Sequence, residues 1–193
     1  MGTAPAPDAL PLTGRVALVT GGARRVGQAI ALALAQAGMD VAITYQTSRR
    51  DARAVVRAIE ALGRRAVAIP VDLALPTAAP RVHRALARHF HRLDVLVNNA
   101  SIFDRAPLAQ TTARLYDAHQ AVNARAPLLL IQQLAPWLAR HANPRDPRSL
   151  GRVVNLVDIH VLGQSLPNFV AYNASKAALL EITQTLALEL APR

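Results

Sequence analysis

The chain has 193 residues, which is enough for one domain with a sizeable core, and a composition of 52% hydrophobic and 18% charged residues excludes a disordered binding protein. It contains no cysteine, which excludes disulfides and thiolate metal sites, and no metal site is predicted. The net charge of +10 rests on 21 arginines and one lysine, but these are scattered and aromatic residues make up only 4% of the chain, so no nucleic-acid partner is expected.

The N-terminal residues and the hydropathy pattern indicate in which compartment of the cell the protein is expected. Residues 1–13 contain three prolines and no lysine or arginine, which predicts a loose tail and not a secretory signal or transit peptide. No stretch of about 18 uncharged apolar residues occurs, so no membrane contact is expected. We therefore predict a cytoplasmic protein with one domain over residues 14–193.

Short apolar, β-branched stretches alternate with longer periodic segments rich in alanine and leucine. The short stretches predict strands at residues 15–20, 40–45, 66–71, 93–97 and 152–157, and the periodic segments predict helices near residues 26–37, 49–62, 76–91, 112–141 and 173–191. Apolar strands joined by helices form a parallel sheet covered on both faces. The predicted fold is therefore a doubly wound, Rossmann-like α/β fold in three layers, with strand order 3-2-1-4-5.

The first strand and the first helix are joined by a glycine-rich turn, TGGARRVG, at residues 20–27. Gly21 and Gly22 permit a tight turn, and Gly27 permits close packing of the helix. The free N–H groups and positive dipole end of the helix suit a diphosphate. In this context the turn predicts a dinucleotide site, with a plain strand–helix connection as the alternative.

The end of the second strand indicates which dinucleotide binds. An NAD site usually has an acid here to hold the ribose 2′-hydroxyl, and this chain has none before Asp51. Thr47, Ser48 and Arg49, helped by Arg25, are suited to a 2′-phosphate. We predict NADPH as the cofactor, the alternative being that the arginines only begin a solvated helix.

Polar residues also follow the third and fourth strands. Asp72 is suited to accept a hydrogen bond from the adenine amino group, and an N-cap or a turn is the alternative role. The small residues at 98–101 suit a backbone that passes close to a ligand. Ligands bind such sheets at the carboxyl ends of the strands, so both segments belong to the predicted site.

Tyr172 and Lys176 are four residues apart at the start of the last predicted helix and share one face. An ammonium beside a phenol lowers the pKa of the phenol, so we expect Tyr172 to exchange a proton near neutral pH. Lys176 is also placed to bind the hydroxyls of the nicotinamide ribose. An exposed pair without function is the alternative.

Asn123 lies in the middle of the fourth predicted helix, four residues before Pro127. Proline cannot donate a helical hydrogen bond, which predicts a kink. The kink would free a carbonyl to hold a water beside Lys176. The alternative is an amide on the helix surface.

Over residues 14–190 these motifs together resemble the short-chain dehydrogenase/reductase family. Two departures from its pattern are informative. Arg25 replaces the middle glycine of the usual TGxxxGxG, and Asp158 stands where a serine usually follows the fifth strand. With the segment at residues 99–103, both changes resemble the pteridine reductase branch, which includes the bacterial dihydromonapterin and dihydrofolate reductases.

The resemblance implies an oxidoreductase in which NADPH delivers hydride to a C=N carbon of a dihydropterin or dihydrofolate. Tyr172, assisted by Asp158 and Lys176, would supply the proton, with Phe103 stacked on the flat ring. The predicted catalytic residues are Asp158, Tyr172, Lys176 and Asn123. The predicted cofactor contacts are Gly21, Arg25, Val26, Gly27, Thr47, Ser48, Asp72, Leu73, Asn99, Ala100, Ser101, Tyr172 and Lys176. The predicted substrate contacts are Arg25, Ser101, Phe103, Asp158 and Tyr172, although Asp158 also suits an Asx turn or N-cap.

The family's domain continues beyond the last predicted helix, so we expect the C-terminal strands to be missing from a truncated chain. The resemblance implies a homotetramer for a complete protein, formed through the two long helices. Three alternatives to a pterin reductase stay open. They are a general carbonyl or 3-oxoacyl reductase, a non-catalytic NADP-binding protein, and a basic nucleic-acid binder.

Overall fold

The computed structural model describes residues 10–141, 143, 145 and 149–191. Five parallel strands form one sheet in the order β3-β2-β1-β4-β5, as predicted. The strands are β1 Val16–Val19, β2 Asp40–Tyr45, β3 Ala66–Pro70, β4 Val95–Asn98 and β5 Arg152–Asn155. The α-helices are α1 Arg25–Gln36, α2 Arg49–Ala61, α3 Ala78–Ala87, α4 Ala113–Gln120, α5 Ala126–Ala139 and α6 Val170–Leu190.

The central strand β1 is apolar on both sides because both faces of the sheet are covered. Ala17 and Val19 pack into the cluster formed with α1 and α2. Val16 and Leu18 pack into the cluster formed with α3 and α5. All four side chains are buried, which explains why this strand is an unbroken apolar run without alternation.

The fourth predicted helix, 112–141, is interrupted by a π-helical turn, Ala121–Arg125, between α4 and α5. Pro127 follows directly and has no N–H to give to the ordinary helical ladder. A wider turn is one way in which a helix absorbs such a defect. The sequence therefore predicted the irregular position correctly, and the structure resolves it as a π turn.

The segment predicted as a loose tail is partly ordered. Residues 10–13 form a turn against the end of α1, where the Leu12 amide donates a 3.0 Å hydrogen bond to the Ala37 carbonyl. The Leu12 side chain packs against the apolar cluster beneath α1. For these residues the prediction was wrong, because the apolar side chain of Leu12, directly after the last of the three prolines, packs on the core. Residues 1–9 lie outside the described residues.

Parallel strands bring all their carboxyl ends to one edge of the sheet. The glycine turn after β1 and the segments after β2, β3, β4 and β5 therefore meet there. No helix in the described part of the chain has the length and hydropathy needed to span a bilayer.

Candidate active site

The turn after β1 packs so tightly that side chains are excluded from it. A Cβ atom on Gly27 would lie 2.4 Å from both the Asn99 side-chain nitrogen and the Gly21 carbonyl oxygen. A Cβ on Gly22 would lie 2.6 Å from Ile43. Gly21 has φ of 63°, which favours glycine. These glycines bring the start of α1 against the sheet.

Arg25 is a non-glycine residue in a glycine-like conformation, with φ of 50°. Its side chain is exposed at the first residue of α1. No acidic residue stands in the first turn of this helix, so its positive end is not neutralised locally. The turn therefore presents a cation and a helix N-terminus together.

The ends of β1 and β4 are joined by side chains of the predicted site. The Thr20 hydroxyl accepts hydrogen bonds from the amides of Asn99 and Ala100, each 3.0 Å long. The Asn99 side chain donates to the Thr20 carbonyl at 2.8 Å. Asn99 and Thr20 thus fix the backbone that faces the turn.

A cavity of about 520 Å³ opens between this turn and the strand ends. The predicted cofactor residues that line it are Gly21, Arg25, Val26, Gly27, Asp72, Leu73, Asn99, Ala100 and Ser101. The other predicted cofactor contacts, which are Thr47, Ser48, Tyr172 and Lys176, are not among its lining residues. Asp72 also makes an Asx turn by accepting from the Ala74 amide at 2.9 Å, so its predicted alternative role is present.

Seven further residues line this cavity that were not predicted from the sequence. These are Arg24, Thr44, Tyr45, Gln46, Val71, Ile102 and Val122. Arg24 lies 3.3 Å from Asp51 at the start of α2, in an exposed ion pair. Its place beside Arg25 in the glycine turn was the available signal.

Tyr172 and Lys176 lie on one face of α6, and both are buried. The Tyr172 hydroxyl donates a 2.5 Å hydrogen bond to Asp158 Oδ2. Lys176 Nζ donates to the Leu156 carbonyl at 2.6 Å and lies 5.9 Å from the centre of the Tyr172 ring. The structure therefore brings together the predicted trio of Asp158, Tyr172 and Lys176.

Ionisation in this trio differs from the expectation that Lys176 lowers the pKa of Tyr172. Burial raises the pKa of the Tyr172 hydroxyl, and the hydrogen bond to Asp158 raises it further. Burial lowers the pKa of Lys176 against the attraction of Asp158. Burial also acts to raise the pKa of Asp158, but hydrogen bonds from Tyr172 and from the His160 amide outweigh it, and that pKa is lowered. The corrected description is a protonated phenol bonded to a carboxylate at neutral pH.

Asn123 is fully buried in the π turn, so the alternative of a surface amide is wrong. Its side chain accepts from the Ile102 amide at 2.9 Å and donates to the Ile102 carbonyl and the Ser175 hydroxyl, each at 3.0 Å. It thereby ties the segment after β4 to α6. These contacts are made by the Asn123 side chain, whereas the sequence had led us to expect a role for a backbone carbonyl freed by the kink.

A stacked pair of phenylalanine rings packs beside the Tyr172 ring. Phe103 stacks on Phe169 with ring centres 4.4 Å apart and meets the Tyr172 ring edge-on at 4.6 Å. Ser101 is exposed, and its hydroxyl donates to the Ile102 carbonyl at 3.2 Å. The segment from Ser101 to Phe103 therefore runs from the cavity to Tyr172.

His119 is a buried residue that the sequence reading overlooked. Nδ1 lies 2.9 Å from the Leu115 carbonyl oxygen, and Nε2 accepts from the Asp104 amide at 3.2 Å. Since a carbonyl can only accept, Nδ1 carries the hydrogen. His119 thus holds the segment that carries Phe103, and helical spacing alone gives no sign of this contact.

A second cavity, of about 610 Å³, lies between α5, β5 and α6. Its lining is mainly apolar and includes Ile131, Leu138, Leu186 and Leu190. Among the residues that the structure describes, no ionisable side chain lines this cavity, whereas Asp158, Tyr172 and Lys176 lie elsewhere.

Comparison with known proteins gives consistent matches along the chain. Residues 15–193 match the family model for short chain dehydrogenases. The hydroxynaphthalene reductase arp2 of Aspergillus fumigatus is 39% identical over 180 residues, which cover 93% of this chain and 62% of that protein. The rhamnolipids biosynthesis 3-oxoacyl reductase of Pseudomonas aeruginosa is 36% identical, covering 93% of this chain and 68% of that protein.

A solved structure shows the same architecture. The short chain dehydrogenase of Burkholderia cenocepacia, in complex with NADP, is 44% identical and superposes with a TM-score of 0.86, covering 94% of this chain and 71% of that one. The present chain spans less than two thirds of the length of the Aspergillus relative. The sheet order, the glycine turn and the matched family model agree, and the chain belongs to the short chain dehydrogenase family.

Proposed function

We propose that this chain holds the cofactor site and the proton donor of an NADPH-dependent reductase that acts on a carbonyl compound. One observation carries the proposal: Ser101 and Ile102 line the cavity at the glycine turn, and the next residue, Phe103, contacts the Tyr172 ring. One short segment therefore joins the cavity to the residue that we propose as the proton donor. The hydroxynaphthalene and 3-oxoacyl reductases among the relatives favour a carbonyl substrate.

The residues at the cavity fit an NADP-type dinucleotide. Without a Cβ, Gly27 lets the start of α1 pack against Gly21 and Asn99, and the helix N-terminus at the cavity suits a diphosphate. Arg24 and Arg25 provide two exposed cations, and β2 ends in Tyr45 and Gln46 without an acid. This charge pattern favours a 2′-phosphate over a free ribose hydroxyl. When bound, the nicotinamide supplies the hydride.

The remaining chemistry belongs to the side chains. Tyr172 is protonated at neutral pH, since even the ordinary tyrosine pKa of 10.0 lies well above it, and this proton is available for the substrate oxygen. Lys176 places a positive charge 5.9 Å from the ring centre, which stabilises the phenolate left behind. Asp158 accepts the phenol hydrogen bond and thereby orients the hydroxyl.

A dihydropterin or dihydrofolate is the second candidate substrate. Asp158 favours it, because a carboxylate accepts hydrogen bonds from ring N–H and amino groups, whereas a carbonyl oxygen needs donors. Phe103 is 55% exposed, and its ring is suited to contact a flat ring. On this reading the segment at 99–103 and Asp158 would place the chain in the pteridine reductase branch.

NADPH consumption with several substrates in parallel separates these functions. The substrates are a bicyclic aromatic ketone, a 3-oxoacyl thioester, dihydrobiopterin and dihydrofolate. We expect turnover of at least one carbonyl compound, and loss of that turnover in Tyr172→Phe with NADPH affinity retained. Turnover of the dihydro compounds alone would instead support the second candidate. Tight NADPH binding without turnover of any substrate would overturn both and indicate a non-catalytic protein.

A further inference from the structure

His160 lies two residues after Asp158, in a short 3-10 turn at Ile159–Val161. Its Nδ1 atom lies 2.6 Å from the Gln164 carbonyl oxygen. Since a carbonyl only accepts, Nδ1 carries a hydrogen whether the ring is neutral or charged. The nitrogen that gains and loses a proton is therefore Nε2.

Nε2 of His160 faces the carboxylate that holds Tyr172. It lies 3.9 Å from Asp158 Oδ1, which also accepts from the His160 amide at 3.0 Å. The other oxygen, Oδ2, accepts from the Tyr172 hydroxyl. The side chains of His160 and Asp158 are 28% and 25% exposed, whereas Tyr172 is 6% exposed. One carboxylate thus lies between a buried phenol and a ring that reaches solvent.

If Tyr172 donates a proton to the substrate, a path is needed that brings a proton back from solvent to its oxygen. If the proposed function is correct, each reduction removes the hydroxyl proton, and the buried phenolate must recover it. Two other titratable groups of the described chain lie near this path. They are Lys176 on α6, whose ammonium is anchored on the Leu156 carbonyl, and His119 on α4, whose fully buried ring lies 6.4 Å from the Tyr172 ring. Of the three, His160 is the one that both lies beside Asp158 and reaches water.

We propose that His160 is the solvent-side member of a proton relay, His160–Asp158–Tyr172. The Nε2–H bond of the imidazolium breaks as an O–H bond forms at Asp158 Oδ1. The carboxyl then rotates about Cβ–Cγ and gives this proton to the Tyr172 phenolate. Asp158 returns to a carboxylate, His160 takes a proton from water, and no electrons move. The 3.9 Å separation requires an approach of about 1 Å or one bridging water.

The first test needs no substrate. The hydrogen-bonded hydroxyl proton of Tyr172, assigned by its loss in Tyr172→Phe, is followed by NMR, and its exchange with solvent is measured. We expect His160→Gln, which keeps an N–H for the Gln164 carbonyl, to slow this exchange several-fold. His91→Gln, at an exposed histidine beyond α3, is the matched control and should leave it unchanged. Equal exchange rates in wild type and His160→Gln would overturn the relay.

The second test uses turnover. In weak buffer, His160→Ala should lower kcat about tenfold, and added imidazole should restore it, while KM and the Kd for NADPH change less than about twofold. A loss that imidazole does not restore, or one that follows a weaker Kd, would show a structural role and contradict the proposal. Should the wild type turn over no substrate, the proposed function fails, and the exchange measurement still decides the relay.

Discussion

At the scale of single residues, Arg25 occupies a backbone conformation that its own side chain opposes. A residue with a Cβ atom at φ of 50° is less stable than glycine by about 1 kcal/mol. Strain of this kind persists where the surroundings impose it and commonly marks a ligand site. Here the strained residue places an exposed guanidinium at the mouth of the cavity.

Replacing Arg25 separates strain from charge. We expect Arg25→Gly to raise the free energy of unfolding by up to about 1 kcal/mol, because the left-handed strain is relieved, and to weaken NADPH binding about tenfold. Arg25→Ala is the matched control, since it loses the same charge and keeps the strain. Denaturant unfolding and NADPH titration measure both effects. Equal stability of the Gly and Ala variants would contradict the role of strain.

Asp158 controls the ionisation of Tyr172. In Asp158→Asn we expect the Tyr172 phenolate to form at lower pH than in the wild type, because the carboxylate that raises its pKa is gone. The 13C shift of the tyrosine ζ carbon measures this titration. Asp117→Asn, at an exposed acid on α4, should change nothing. An unshifted Tyr172 titration in Asp158→Asn would show that Asp158 does not raise the pKa of Tyr172.

The same pKa shift predicts a pH dependence of stability. A folded-state pKa above the ordinary value of 10.0 means that the unfolded chain releases the Tyr172 proton first. The contribution of this residue is therefore complete below pH 10 and is lost as the pH rises toward the folded-state pKa. Unfolding in denaturant at increasing alkaline pH should show a steeper loss in wild type than in Tyr172→Phe. If stability fell with pH equally in the wild type and in Tyr172→Phe, the raised pKa of Tyr172 would be contradicted.

At the scale of elements, the π turn places one side chain where three elements meet. Asn123 joins the segment after β4 to α6, and through Phe103 that segment contacts Tyr172. The helix defect at Pro127 is therefore linked to the position of the proposed proton donor. A regular helix through 112–141 would rotate Asn123 relative to its partners.

Asn123→Ala tests this connection. Loss of the amide leaves the N–H and carbonyl of Ile102 without their partner, so we expect a destabilisation of about 2–3 kcal/mol and faster hydrogen exchange at Ile102. Ser175→Ala removes the Asn123 bond to the hydroxyl and the hydroxyl's own 2.7 Å bond to the Tyr172 carbonyl, but it leaves both Ile102 bonds intact and should cost about 1 kcal/mol. If the two variants were equally stable, the link to Ile102 would not contribute to stability.

At the scale of the whole molecule, the net charge of +10 acts on any anionic ligand. NADPH carries a 2′-phosphate that NADH lacks. Arg24 and Arg25 line the cavity and are exposed, so salt can screen their attraction for this phosphate. Raising the ionic strength from about 0.05 M to about 0.5 M should therefore weaken NADPH binding more than NADH binding. Fluorescence titration of both cofactors measures the ratio of their Kd values. A ratio independent of salt would exclude electrostatic selection of the 2′-phosphate.

Much of the fold followed from local patterns. The predicted strand order is confirmed, and the predicted strands agree with the structure within two residues at each end. Buried parallel strands are continuous apolar runs, and a glycine turn shows where the first crossover begins. The described tail residues 10–13 were predicted wrongly, because their order depends on a contact with the distant end of α1.

By itself, the sequence determined the alternating α/β order, the glycine turn, and the pairing of Tyr172 with Lys176 on one helix face, because each depends on residues close together in the chain. Only the tertiary structure decided the ionisation of Tyr172. Asp158 lies 14 residues away in sequence and reaches the phenol through the fold, and together with burial it reverses the expected direction of the pKa shift. The tertiary structure likewise placed Asn123, since burial and hydrogen bonding across elements are set by how the strands and helices pack.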